Sequence, residues 1–101
     1  MNAVIDSVVL ELGGDIGALV LQAPAWLLGR EIEISPVCAD GQPARRTHAL
    51  VRERLTPTGA SHAAVYLAVP AGRYTVWRDA GTPLGTVTVS GGQVASFRWP
   101  A

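Results

Sequence analysis

The chain is 101 residues long, 49% hydrophobic and only 16% charged, and its eight basic side chains balance eight acidic ones. That is material for one hydrophobic core and a single domain over 1–101; it excludes intrinsic disorder, which needs a polar, highly charged chain. Zero net charge argues against a protein that grips nucleic acid through its phosphates, and a single cysteine, Cys38, excludes a disulfide scaffold or a multi-cysteine zinc site.

Every basic residue is arginine, and alanine, glycine, valine and proline are abundant. This composition reads as the codon bias of a GC-rich bacterial genome. The first residues, Met1 to Asp6, carry no basic n-region and reach an acid at once, which is not the pattern of a secretory signal. No apolar stretch approaches the ~18–20 residues that cross a bilayer. The expectation is a cytoplasmic protein with no membrane insertion.

Period two dominates the chain from its start. Val8, Leu10 and Leu12 share one face, and Glu31-Ile32-Glu33-Ile34-Ser35 alternates with its isoleucines on one side and its acids on the other. Ala63, Val65, Leu67 and Val69 form one set, expected inward, against His62, Ala64, Tyr66 and Ala68, expected outward. Thr86-Val87-Thr88-Val89 repeats the pattern. Such alternation describes strands with one face on a core and the other in solvent. Turn chemistry separates them at 13–15, 40–43, 57–59, 79–83 and 90–92, where glycine, proline and Asx residues cluster. The reading predicts strands near 4–12, 15–22, 30–35, 46–55, 61–69, 73–78, 84–90 and 93–99. One short helical turn falls within 24–29, between Pro24 and Gly29. The fold class is therefore all-β, an antiparallel sandwich of seven to eight strands.

The second half carries a phrase of its own. Leu67-Ala68-Val69-Pro70-Ala71-Gly72-Arg73-Tyr74-Thr75-Val76 is followed by Val87-Thr88-Val89-Ser90-Gly91-Gly92-Gln93-Val94. It resembles the L-x-x-P-A-G-x-Y-T-V … V-T-V-x-x-G-x-V pattern of prealbumin-like sandwiches, which include carboxypeptidase regulatory-like domains and Cna B-type repeats, and of small stand-alone bacterial proteins of this kind. The resemblance covers about residues 61–99. It implies an immunoglobulin-like sandwich in which Tyr74 and Val76 enter the core beside Val87 and Val89. It implies no activity, because the motif is structural. The isopeptide cross-link of surface repeats needs a lysine, and there is none. The purine-degrading hydrolases of transthyretin type end in Tyr-Arg-Gly-Ser, where this chain ends Phe97-Arg98-Trp99-Pro100-Ala101.

Catalytic motifs are missing from the sequence. Ser90 sits in Thr88-Val89-Ser90-Gly91-Gly92, without the first glycine of a nucleophile elbow, and reads as a hairpin turn. Gly13-Gly14-Asp15-Ile16-Gly17 precedes a strand and has no lysine after it, so it reads as a β-turn, not a phosphate cradle. No H-E-x-x-H, C-x-x-C or calcium-loop spacing occurs, and no cofactor is expected. Lone Cys38 reads as a small buried hydrophobe.

What remains is a surface. A hairpin of 46–55 with 61–69 about Thr58 would put His48, Leu50, Arg52 and Arg54 on one face with His62 and Tyr66. Arg54 would then lie beside His62 and Leu50 beside Tyr66. If the preceding strand joins that sheet, Glu33 falls near His48 and Glu31 near Leu50. Three readings stand for that face: a solvated sheet surface with cross-strand ion pairs, a docking surface for a protein partner or a second copy, and a metal or anion site built on His48, His62 and Glu33. Trp77 has the parity opposite to Tyr74 and Val76, so it is expected on an outer face, either marking an interface or covered by a neighbouring loop or by the short turn at 24–29. Phe97 and Trp99 should finish the core and Trp26 should close one end. The functional expectation is a non-enzymatic module that mediates protein–protein interaction, self-association included, with metal or small-ligand binding as the alternative.

Overall fold

A computed structural model describes residues 2–5, 8–11, 14–37 and 45–100, with the backbone alone for the first two segments. The expected turn at 40–43, Cys38 and the facing of Val8, Leu10 and Leu12 lie outside the described residues. Among the described residues ten strands follow one another: β1 Asn2–Ile5, β2 Val8–Glu11, β3 Ile16–Gln22, β4 Glu31–Pro36, β5 Thr47–Leu50, β6 Arg52–Thr56, β7 Gly59–Pro70, β8 Gly72–Trp77, β9 Pro83–Val89 and β10 Val94–Arg98. The expected strand 4–12 is instead the hairpin β1–β2. A 3-10 turn at Ala25–Leu27 lies within the predicted helical position, and the chain leaves it through Gly29, whose φ of 83° suits a residue without Cβ. Among the described residues no helix is long and apolar enough to cross a membrane.

Eight strands form two four-stranded sheets, β10-β3-β7-β6 and β5-β4-β8-β9. Their facing sides hold the core, with Leu19 and Leu21 from the first sheet, Ile34, Val76 and Val89 from the second, and Val51 between them. Tyr74 and Val76 are buried as the alternation predicts, and Val87 and Phe97 pack against the cluster. All pairings within the two sheets are antiparallel except one: β10 runs parallel to β3. The wholly antiparallel expectation is corrected there. A hairpin partner for the last strand would be β9, but β10 crosses to the other sheet, and a crossover neighbour carries no local sequence signal.

Two further departures control where the surface residues go. The expected strand 46–55 is two strands in different sheets, joined at Val51. The Val51 backbone is held by Arg30 and Gly29: its N–H donates to the Arg30 carbonyl at 2.9 Å and its carbonyl accepts from Gly29 at 3.0 Å. The long strand β7 changes phase partway. Leu19 faces Tyr66 while Gly17 faces Val69, so one residue on β3 is spanned by two on β7. Such a bulge inverts which parity faces the core. Val69 is therefore inward, as read from the sequence, but so are Ala64 and Tyr66, whereas Leu67 is exposed and Val65 lies on the outer side.

Candidate functional site

The face anticipated from the sequence does not assemble. A strand that switches sheets keeps one side on the core, so its outward residues point away from the sandwich in opposite directions. His48 and Leu50 lie on the outer face of the second sheet; Arg52 and Arg54 lie on that of the first. Within the second sheet the expected neighbours do meet, Glu33 opposite His48 and Glu31 opposite Leu50. His48 Nε2 lies 3.2 Å from a Glu31 oxygen. In the first sheet Arg54 pairs with Ser61, and in the next row, which has the opposite parity, His62 stands opposite Glu53 with 4.0 Å between their side chains. Leu50 and Tyr66 do not share a face. Tyr66 is in the core, its hydroxyl donating to the Ile32 carbonyl. That bond explains why a tyrosine takes an interior position: its polar tip is satisfied inside. His48, His62 and Glu33 do not converge, and among the described residues no three potential ligands stand close enough to hold a metal ion.

Trp77 is on the outer side of the second sheet, as its parity predicts, but it is covered. Arg46 lies over its ring, 3.8 Å from the centroid, and its indole N–H donates to Ser35 Oγ at 2.9 Å. Arg46 also reaches Glu33 at 3.0 Å and the Ala80 carbonyl at 2.8 Å. These bonds tie the segment before β5 to the loop after β8 and leave Trp77 half-buried beneath them.

A different region has the shape of a site. At the end where β3 and β10 finish, the β6–β7 hairpin runs on past them, and a trough of about 1150 Å³ opens between these elements. Its floor includes Val20, Ala63 and Val65, small outer-face side chains of β3 and β7. Trp26 and Trp99 bound it on one side, edge to face with centroids 6.4 Å apart. Trp99 finishes the core as expected, whereas Trp26, expected to close one end, stands 63% exposed. The exposed Leu55 of the hairpin forms part of the opposite wall.

The charge of this trough is one-sided. Arg54, Arg78 and Arg98 line it together with His62, and no described acidic residue does. Three of the eight arginines of the chain thus line one concavity. A concave, partly apolar surface lined by one sign of charge concentrates ligands of the opposite sign. Arg78 sits 5.9 Å from the Trp99 ring, which places a cation beside the aromatic wall. Arg54 and His62 belonged to the surface anticipated from sequence; Arg98, Arg78 and Trp26 did not. The parity of β10, with Phe97 inward and Arg98 outward, was readable, but the neighbour of β10 was not.

No family model, curated protein or solved structure matches the chain.

Proposed function

We propose that this chain is a non-enzymatic binding module, a prealbumin-like sandwich that docks a protein partner in the trough beside the β6–β7 hairpin. The observation that carries this reading is the concave lining of that trough, where Arg78 and Arg98 stand beside a floor of small side chains. Exposed Trp26 and Leu55 at its walls add the aromatic and aliphatic anchors that interfaces favour. His48 and His62 belong to different sheets and, among the described residues, no three potential ligands converge, which supports docking over metal binding.

Paired affinity captures from a lysate of the source cells, one with the unaltered chain and one with Arg78→Glu plus Arg98→Glu, test this. A protein retained by the first and lost from the second is the expected result. Equal capture by both removes the trough from the account. Sedimentation of the two proteins covers self-association: a dimer abolished by the double substitution makes the partner a second copy.

A further inference from the structure

Strand β7 outruns β3 beside it, and the alternation of its hydrogen bonds identifies the backbone groups left open. In an antiparallel ladder each residue directs both its N–H and its C=O to one side, and successive residues alternate. The Ala23 N–H donates to the His62 carbonyl at 2.9 Å, so the even-numbered residues of β7 before its bulge face β3. The odd-numbered ones, from Gly59 to Ala63, face β6 across the turn at Pro57 and Thr58. Gln22 ends β3, and at Pro24 the chain turns away into the 3-10 turn. Ala60 therefore directs its N–H and C=O past the end of β3, where no described backbone group meets them, and the His62 N–H is open on the same side.

The trough follows this open edge. Ser61 and His62 have opposite parity and both line it, as do Gln22 and Ala23, so the space reaches both faces of the first sheet around the end of β3. An occupant whose backbone is already satisfied, such as a helix, would displace water from Ala60 and leave a donor and an acceptor unpaired. An extended chain pairs with them and continues the line of β3. The registers also place its side chains. The residue opposite Ser61 points outward, two positions beyond Gln22, which stands beside Arg98. Arg98 lines the trough, and among the described residues no carboxylate pairs with it. The residue opposite Ala60 points inward, to the side of Trp99.

We infer that the trough receives an extended segment of the partner, added antiparallel to β7 beyond the end of β3, with main-chain bonds to Ala60 and His62 and an acidic side chain toward Arg98. This inference rests on the docking reading above and names the partner's chemistry. From Gly59 to His62 the open edge is roughly 10 Å long at about 3.3 Å per residue, room for a pair of bonds at Ala60 and one more at the His62 N–H. Main-chain pairing supplies the attraction, and the alternate side chains supply the selectivity.

The test uses three synthetic peptides and the whole chain. The first is a short blocked peptide alternating valine with threonine, its central threonine replaced by glutamate; the second is the same peptide with methylated valine nitrogens; the third has lysine for glutamate. Binding is read from the Ala60 and His62 amide resonances and from their hydrogen exchange. The first peptide is expected to shift both, slow their exchange about tenfold and bind about tenfold more tightly than either other peptide. Arg98→Glu should reverse the preference for glutamate over lysine, whereas Arg73→Glu, on the other sheet, should leave it unchanged. Ala60→Pro removes an N–H that the β6–β7 ladder does not use, so the fold should survive while peptide binding is lost. Retained amide dispersion certifies each variant. Equal binding of the methylated peptide overturns strand addition, and equal binding of the lysine peptide overturns the acidic preference. The same shifts on raising protein concentration alone overturn a separate partner in favour of a second copy. Absence of any shift with the first peptide, while the paired captures still differ, overturns strand addition and spares the docking reading. Absence of shifts together with equal captures overturns both.

Discussion

The guanidinium carbon of Arg46 lies 3.8 Å from the centroid of the Trp77 ring while its two terminal nitrogens hold Glu33 and the Ala80 carbonyl. One side chain thus covers an outer-face tryptophan, neutralises a strand carboxylate and anchors a loop. Replacement by alanine should cost about 1–2 kcal/mol, more than the near-zero value of an ordinary surface ion pair, because the stacking and the carbonyl bond are lost with it. Arg46→Lys should recover only part of this, since an ammonium cannot stack and fork at once. Urea titration gives the stability. Exchange of the Trp77 indole proton, now held by Ser35 Oγ, should quicken in both variants. An unchanged exchange rate in Arg46→Ala would show that the cover is ornamental.

Two glycines mark places where backbone meets backbone. A Cβ on Gly91 would come within 1.8 Å of the Gly14 carbonyl oxygen, and one on Gly17 within 2.4 Å of the Ser90 oxygen. Neither obstacle is a flexible side-chain end, so the turn before β3 and the turn before β10 would have to separate. Gly17→Ala and Gly91→Ala should each cost about 3 kcal/mol. Gly81→Ala, with nothing within 4 Å of its added carbon, should be close to neutral. Thermal melts of the three side by side test the contrast.

Alkaline stability should report on Tyr66. Burial pushes its hydroxyl above the ordinary tyrosine value; the charge of Glu33 adds to this and a backbone hydrogen bond at Ala49 opposes it. In the unfolded chain the same group releases its proton near pH 10. The stabilisation is therefore complete below about pH 10 and declines as pH rises toward the folded value, because the unfolded state then binds fewer protons than the native one. Tyr66→Phe should lower neutral-pH stability by about 1–2 kcal/mol, through the orphaned Ile32 carbonyl, yet flatten the alkaline decline. Burial raises Tyr74 as well, so some slope should persist. Urea midpoints from about pH 8 to about pH 11 decide it; parallel profiles for the two proteins would contradict the assignment.

Val51 is where the chain passes from one sheet to the other, and its side chain is fully buried between them. Val51→Ala should cost about 2–3 kcal/mol from lost burial and a residual cavity. Because its backbone bonds to Gly29 and Arg30 are unaffected by side-chain truncation, the topology should survive. An amide spectrum that keeps its dispersion while the melting point falls is the expected outcome.

Alternation along β4, β8 and β9 determined by itself that Ile32, Ile34, Tyr74, Val76 and Val89 are interior, because a strand's side chains alternate regardless of its neighbours. The pairing of Glu33 with His48 was legible for the same reason, given an antiparallel neighbour. Only the tertiary structure decided the fate of Tyr66, His62 and Arg54. A bulge in β7 reverses parity without any residue type that announces it, and the step at Val51 sends one strand's outward residues to both sides of the sandwich. The trough depends on β10 lying parallel beside β3, with Val94 opposite Ala18 and Arg98 opposite Gln22, a contact between segments distant in the sequence. Local periodicity carries which way a side chain points from its own strand. It carries nothing about which strand lies next to it, and the trough depends on that.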